Sequence, residues 1–187
     1  FVTVFFAAGA LTEETEAAGL MGLSLSQPLR AERGPSGSID ITRSSGPLAT
    51  TVTVFTSRVR NSIKIDRDAE YRIRNAHDTT NGGVEVLATF RREPFAVTGT
   101  YTFVRSREGD GDSVADVALT PRHSAGMVGM WEKEDSGRVG VEVYYTGWQR
   151  LEANPYAERS EPYVIVGVLA ERQLGRLRQF INGENLS

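Results

Sequence analysis

The residues that could do chemistry are few and badly spaced for it. His77 and His123 stand far apart, and the chain has no cysteine. Zinc and similar ions are held by Cys and His at short, recurring spacings such as H-x-x-x-H, so no metal centre and no cofactor are expected. Glu13, Glu14 and Glu16 crowd one polar stretch and read as a solvated loop, a cation contact being the alternative. Asp110, Asp112 and Asp116 begin like a calcium loop. The glycine and the closing glutamate of such a loop are missing, so the stretch reads as a solvated hairpin tip. Gly109, Gly111 and the Asn81, Gly82, Gly83 run are loop punctuation rather than a phosphate cradle, because no helix follows them. No nucleophile, base and orienting group can be assembled, and an enzyme is not expected.

The elements that carry these residues are strands. Val84, Val86, Ala88 and Phe90 alternate with Glu85, Thr89 and Arg91, Leu87 being the exception. Beyond Arg92, Glu93 and Pro94, the residues Phe95, Val97, Gly99, Tyr101 and Phe103 alternate with Ala96, Thr98, Thr100 and Thr102. This is the period of a strand with one greasy face, written twice around a turn. Val139, Val141, Val143 and Tyr145 alternate in the same way with Arg138, Gly140, Glu142 and Tyr144. A water-filled lumen tolerates a carboxylate on the second face; a packed sandwich core does not. Residues 38–43, 48–59, 123–131 and 163–171 are also β-rich, the last two being apolar on both parities.

The spacing of these runs predicts an all-β chain of about nine to ten antiparallel strands in a meander. Long polar stretches at 9–35, 61–81, 106–119 and 149–161 alternate with tight turns near Ser44 to Pro47, Arg92 to Pro94, Glu134 to Gly137 and Leu174 to Gly175. Long loops at one end and short turns at the other mark the wall of a transmembrane β-barrel in an outer membrane. Phe90, Phe95, Trp131, Tyr145, Trp148 and Tyr163 fall near strand ends, as aromatic girdles at the two lipid interfaces would. On the same parities Glu85, Arg91, Arg138, Glu142, Arg176 and Arg178 face a polar lumen, where the structural roles of wetting and docking come first.

Composition agrees. At 187 residues, 40% hydrophobic and 24% charged, the chain is too polar for a helical membrane protein, and no run approaches the roughly 18–20 apolar residues of a transmembrane helix. A net charge of −3 speaks against a nucleic-acid partner. The lack of cysteine excludes a disulfide framework and suits an oxidising compartment. Both ends read as cut, since Phe1 is no initiator and no closing turn follows Leu186 and Ser187. A piece of this size would form either a small closed barrel or an open curved sheet, because such a strand set leaves two edges to satisfy.

Four local motifs carry a resemblance to a known family. Pro28 to Arg33 resembles an N-L-[RK]-P-E segment, Asn81 to Glu85 a G-x-E strand opening, Thr120 to His123 a T-P-x-H strand entry, and Phe180 to Leu186 an N-L strand ending. In this order they resemble the C-terminal part of the barrel of TonB-dependent outer-membrane receptors. The resemblance implies that residues 1–187 are the C-terminal portion of one barrel domain, with the plug domain and the final strand outside them. It further implies a location in the bacterial outer membrane in contact with lipid, and uptake of a scarce nutrient such as a ferric siderophore or cobalamin. The plug and TonB would be partners in the full-length parent. Ligand contact would come from the outside loops, where Tyr71, Arg72, Arg74, Trp148, Arg150 and Tyr156 offer aromatic and cationic groups for a metal chelate or other small molecule. The alternatives are a small passive or adhesive outer-membrane barrel and a soluble β-sheet protein that binds a ligand.

Overall fold

The computed structural model describes residues 2–11, 24–25, 29–66, 72–110, 113–134, 136–152 and 154–186. Glu13, Glu14, Glu16, Pro28, Tyr71, Gly111 and Asp112 lie outside the described residues. Every regular element among the described residues is a strand: β1 (Val2–Leu11), β2 (Ser24–Leu25), β3 (Glu32–Ser45), β4 (Leu48–Val59), β5 (Ile63–Asp66), β6 (Arg72–Asn75), β7 (Thr79–Arg92), β8 (Phe95–Asp110), β9 (Ser113–Asp116), β10 (His123–Lys133), β11 (Gly137–Thr146), β12 (Tyr163–Leu174) and β13 (Leu177–Gly183). One antiparallel sheet runs in the order β1-β3-β4-β7-β8-β10-β11-β12-β13, with β9 folded back on β8. A small sheet, β2-β6-β5, is built from the long stretches between β1 and β3 and between β4 and β7. The main sheet is open, its path ending at β1 and β13, which are not partners among the described residues.

The meander follows from its turns. Gly46 and Gly175 each take the first position of a two-residue turn at φ of +56° and +60°, the left-handed backbone that matches the twist of a tight hairpin. Closure at Ser45 opposite Leu48, Arg92 opposite Phe95, Lys133 opposite Gly137 and Leu174 opposite Leu177 then fixes every register outward from the turn. At the other end the strands are longer than the alternation suggested. β3 already begins at Glu32, β7 at Thr79, and β8 continues to Asp110, so paired backbone reaches well into stretches expected as loop.

Register sorts the side chains into two faces. Ile41, Val52, Val86, Tyr101, Ala125, Tyr145 and Val164 stand opposite one another across the sheet. Leu48, Phe90, Val97, Gly129, Val141 and Val168 form a parallel row nearer the tight turns. The reverse face carries Asp40, Thr53, Glu85, Thr102, Ser124 and Thr146 in one row. Hydroxyls meet across it, Thr42 Oγ1 to Thr51 Oγ1 at 3.0 Å and Thr53 Oγ1 donating to Asp40 Oδ1 at 2.5 Å. Phe90, Phe95, Trp131 and Tyr145 belong to the apolar face, as residues of an aromatic girdle must, whereas Trp148 and Tyr163 fall on the polar parity, against that expectation.

This sheet has almost no interior. Among the described residues Ile73, 4% exposed, is the one buried hydrophobic side chain, and it lies in the small sheet. Val52, Val54, Val139 and Val141 are all at least 37% exposed. The two valine sets therefore lie on one face of one sheet and do not pack against each other as a sandwich core would. A row of branched aliphatic side chains open to solvent costs roughly 1.5–3 kcal/mol per residue until something apolar covers it. Hydrocarbon is the cover that this pattern fits.

Two substitutions test the arrangement in the full-length barrel refolded into lipid vesicles and titrated with urea. A Cβ on Gly83 would run into the Phe103 carbonyl oxygen and come within 2.7 Å of Phe55 Cζ, whereas one on Gly129 meets nothing within 4 Å. Gly83→Ala is expected to lower stability by about 1–3 kcal/mol and Gly129→Ala by less than about 0.5 kcal/mol. Val86→Arg, in the apolar band, is expected to cost about 2–4 kcal/mol, and Thr89→Arg on the reverse face less than about 1 kcal/mol. Equal costs for the two arginines would mean that the sheet does not separate lipid from lumen.

Candidate functional site

The long-loop end of the sheet gathers one compact polar constellation. Gly147 N donates to the His123 carbonyl at 2.8 Å, extending the β10–β11 ladder by one step and bringing Arg122 opposite Trp148. The segment after β11 then doubles back. Arg150 and Arg159 form an antiparallel bridge, Leu151 N donates to the Glu158 carbonyl at 2.9 Å, and Ser160 N to the Gln149 carbonyl at 2.9 Å. Asn154 Oδ1 accepts from the backbone N–H groups of Tyr156 and Ala157 at 2.8 and 3.1 Å, an Asx turn that shapes the tip.

Two guanidinium groups lie over the Trp148 ring, Arg159 Cζ 4.2 Å and Arg122 Cζ 5.2 Å from its centroid. Both distances are those of cation–π attraction. Arg122 Nη2 also meets Asp116 Oδ2 at 2.8 Å, while its Nε is buried without a partner. Arg150 Nη1 donates to the Asp116 carbonyl at 2.8 Å and stands 3.7 Å from Glu108 Oε1, which Lys64 Nζ approaches at 3.4 Å. The Glu108 carboxylate, 18% exposed, thus ties the small sheet to the β11–β12 segment. Asp116, Trp148, Arg150, Asn154, Glu158 and Arg159 line a cleft of about 370 Å³. An aromatic plane flanked by cations that keep open donors can stack and hold a flat or anionic group.

Of the residues singled out from sequence, Trp148 and Arg150 are brought together here. Tyr156 sits at the loop tip, 95% exposed and away from the cleft lining. Arg72 and Arg74 belong to β6 in the small sheet. Asp116 is no solvated tip: it ends β9 and is committed to Arg122. Sequence reasoning passed over Glu108, Arg122 and Arg159, and gave Asp116 another role. Counting outward from the Lys133 to Gly137 closure already sets Arg122 against Trp148, so that pairing was available from register alone.

The reverse face of the sheet carries the other charged set. Glu85 accepts from Thr102 Oγ1 at 3.4 Å. Arg138 and Arg178 both reach Glu171, at 2.9 and 3.1 Å, and the Glu171 carboxylate is only 12% exposed. Glu142 takes the Tyr144 hydroxyl at 3.3 Å, with Gly167 leaving the room its carboxylate fills. Arg91 stands opposite Ala96 on this face, exposed. Arg176 occupies the second position of the Gly175 turn and belongs to neither face, because a two-residue turn carries no strand parity.

An open run of long antiparallel strands with an apolar face, a polar face and a loop-borne site at one end is a segment of an outer-membrane-type barrel wall. The chain belongs to the family described as TonB dependent receptor-like, beta-barrel, whose model matches residues 18–186. Members of this family are outer-membrane transport proteins rather than enzymes. No curated protein matches the sequence. Among solved structures the chain is similar to the ferric-catecholate import receptor Fiu of Escherichia coli K12, at 17% identity and a TM-score of 0.75 over 99% of this chain and 28% of that one. It is similar also to the ferripyoverdine receptor of Pseudomonas aeruginosa, at 17% identity and a TM-score of 0.72 over 99% and 27%. The FrpB iron transporter of Neisseria meningitidis gives 12% identity and a TM-score of 0.76 over 99% and 32%. The chain spans less than a third of the length of these structures.

Glu108→Gln should release the small sheet from the loops without unfolding the wall. Limited trypsin digestion of the full-length protein is expected to cut at Lys64 several-fold faster, while urea stability falls by less than about 1 kcal/mol, as for a partly exposed ion pair. Unchanged cleavage would show that Glu108 does not hold the two loops together.

Proposed function

We propose that this chain belongs to the C-terminal portion of the barrel of a TonB-dependent receptor that imports a scarce nutrient, a metal chelate such as a ferric siderophore or cobalamin. The membership of residues 18–186 in the receptor barrel family is the observation that carries it. The site supports the same reading. The cleft at the long-loop end presents Trp148 with Arg122 and Arg159 against its ring, and Arg150 at its wall. Those groups suit a ligand with flat conjugated parts and negative charge. The polar face, with Glu171 bridging Arg138 and Arg178, suits a wetted lumen against which a plug domain docks. A passive pore would need neither the plug nor TonB.

Uptake of labelled ferric chelates and of cobalamin by cells carrying the full-length gene, with and without TonB, is the test. Uptake is expected only when TonB is present, and transport indifferent to TonB would reject the reading. Trp148→Ala and Arg159→Gln are each expected to weaken binding of the imported ligand to the purified receptor by about tenfold, leaving its outer-membrane level unchanged.

A further inference from the structure

Just beyond the apolar band, on the apolar parity and at the long-loop end, the four neighbouring strands β3, β4, β7 and β8 carry five arginines, all of them on, or at the end of, β3, β4 and β8. Arg33 of β3 and Arg60 at the end of β4 stand directly opposite one another, exchanging backbone hydrogen bonds at 3.1 and 2.7 Å. Arg58 lies opposite Thr80, and Thr80 opposite Arg107. Arg105 follows on the same face, opposite Gly82. All five are exposed.

Among the described residues the cluster is under-neutralised. Like charges set directly opposite in a sheet repel. Among the described residues Asp78 answers Arg58 at 2.7 Å, and Asp116, opposite Arg107 in register, is committed to Arg122 at 2.8 Å. Arg33, Arg60, Arg105 and Arg107 make no side-chain ion pair among the described residues. Below them lie Ile39, Val54, Val84 and Phe103 in one apolar row. A wall that presents hydrocarbon-compatible side chains and then, two to six residues further along the same strands, a cluster of guanidinium groups has the layering of a lipid, whose tails meet the first and whose headgroup meets the second. Guanidinium groups at spacings of two residues along a strand and one strand across bind phosphate oxygens by paired N–H donors.

We propose that this arginine patch is a binding surface for phosphate-bearing lipid headgroups of the outer leaflet, separate from the Trp148 cleft. It rests on the reading of the chain as a membrane-spanning barrel wall. The lipid would neutralise the Arg33 and Arg60 pair and brace β3, β4, β7 and β8 above the bilayer, where the strands leave the membrane.

The test uses the full-length receptor in nonionic detergent and measures binding of fluorescent diphosphoryl lipid A. The receptor is compared with a variant carrying Arg33→Gln, Arg60→Gln, Arg105→Gln and Arg107→Gln, and with the smaller Arg33→Gln/Arg60→Gln variant. Arg43→Gln/Arg92→Gln, exposed arginines at the tight-turn end, serves as the control. The four-fold variant is expected to bind at least about tenfold more weakly and the double variant to lose part of that, with the control unchanged. Dephosphorylated lipid A should bind the parent no better than the four-fold variant binds the diphosphoryl form, and binding should weaken with salt. Equal binding by parent and four-fold variant overturns the proposal. So does displacement of the lipid by inorganic phosphate at equal concentration, which would assign the arginines to a free anion. Should the four-fold variant fail to assemble, the double variant decides alone. Outer-membrane fractionation of the parent separates the two readings: a parent absent from that membrane fails the barrel assignment, whereas one correctly inserted but indifferent to the arginines fails only the lipid surface.

Discussion

Every backbone N–H and C=O of a wall in hydrocarbon must be paired inside the protein, since lipid offers no partner and an unmet group costs several kcal/mol. A sheet meets that demand only strand by strand, each neighbour completing the last. Hence the uninterrupted ladder from β1 through β13, and hence the tight turns that keep consecutive strands adjacent. Among the described residues the ladder is complete between neighbours and left open at its two edge strands, β1 and β13, which the same demand requires to be met by something else.

Once the ladder fixes register, the pleat distributes chemistry between the two faces. One residue of slip would carry Ile41, Val52 and Val86 to the face of Glu85 and Asp40, so the apolar row and the glycine-led turns must agree, and they do. With almost no buried apolar side chain in the main sheet, cohesion rests on backbone pairing, cross-strand hydroxyl contacts and the ion pairs that Glu171 makes with Arg138 and Arg178. Stability that a soluble domain draws from its interior must here come from what surrounds the wall.

Legibility in the sequence followed the strength of alternation. β7, β8 and β11 could be read with their faces, because each sets valines and aromatics against Thr, Glu or Arg. β10 and β12 could be placed but not oriented. Val128 and Leu169 fall on the polar face, opposite Glu142 and Gly140, while Met127 and Val168 hold the other, so both parities look apolar. The extensions of β3, β7 and β8 were invisible because strands outside hydrocarbon are polar on both sides. At the site, Trp148 and Arg150 declared themselves by residue type. Glu108, Asp116 and Arg159 did not, since their roles arise only when loops distant in sequence converge above the sheet.

That convergence separates two kinds of constraint in one chain. Below, the positions are dictated by the ladder and tolerate little movement of the backbone: Gly83 faces the Phe103 carbonyl so closely that even a methyl group does not fit. Above, contacts are made by long side chains, and Lys64 and Arg150 share Glu108 at 3.4 and 3.7 Å, distances of loosely held ion pairs. The register of the wall is therefore set by backbone pairing, and the loop contacts above it are not needed to fix it. Trp148 stands at the junction, just beyond the Gly147 and His123 step that ends the β10–β11 ladder, while its ring meets Arg159 from the segment that doubles back.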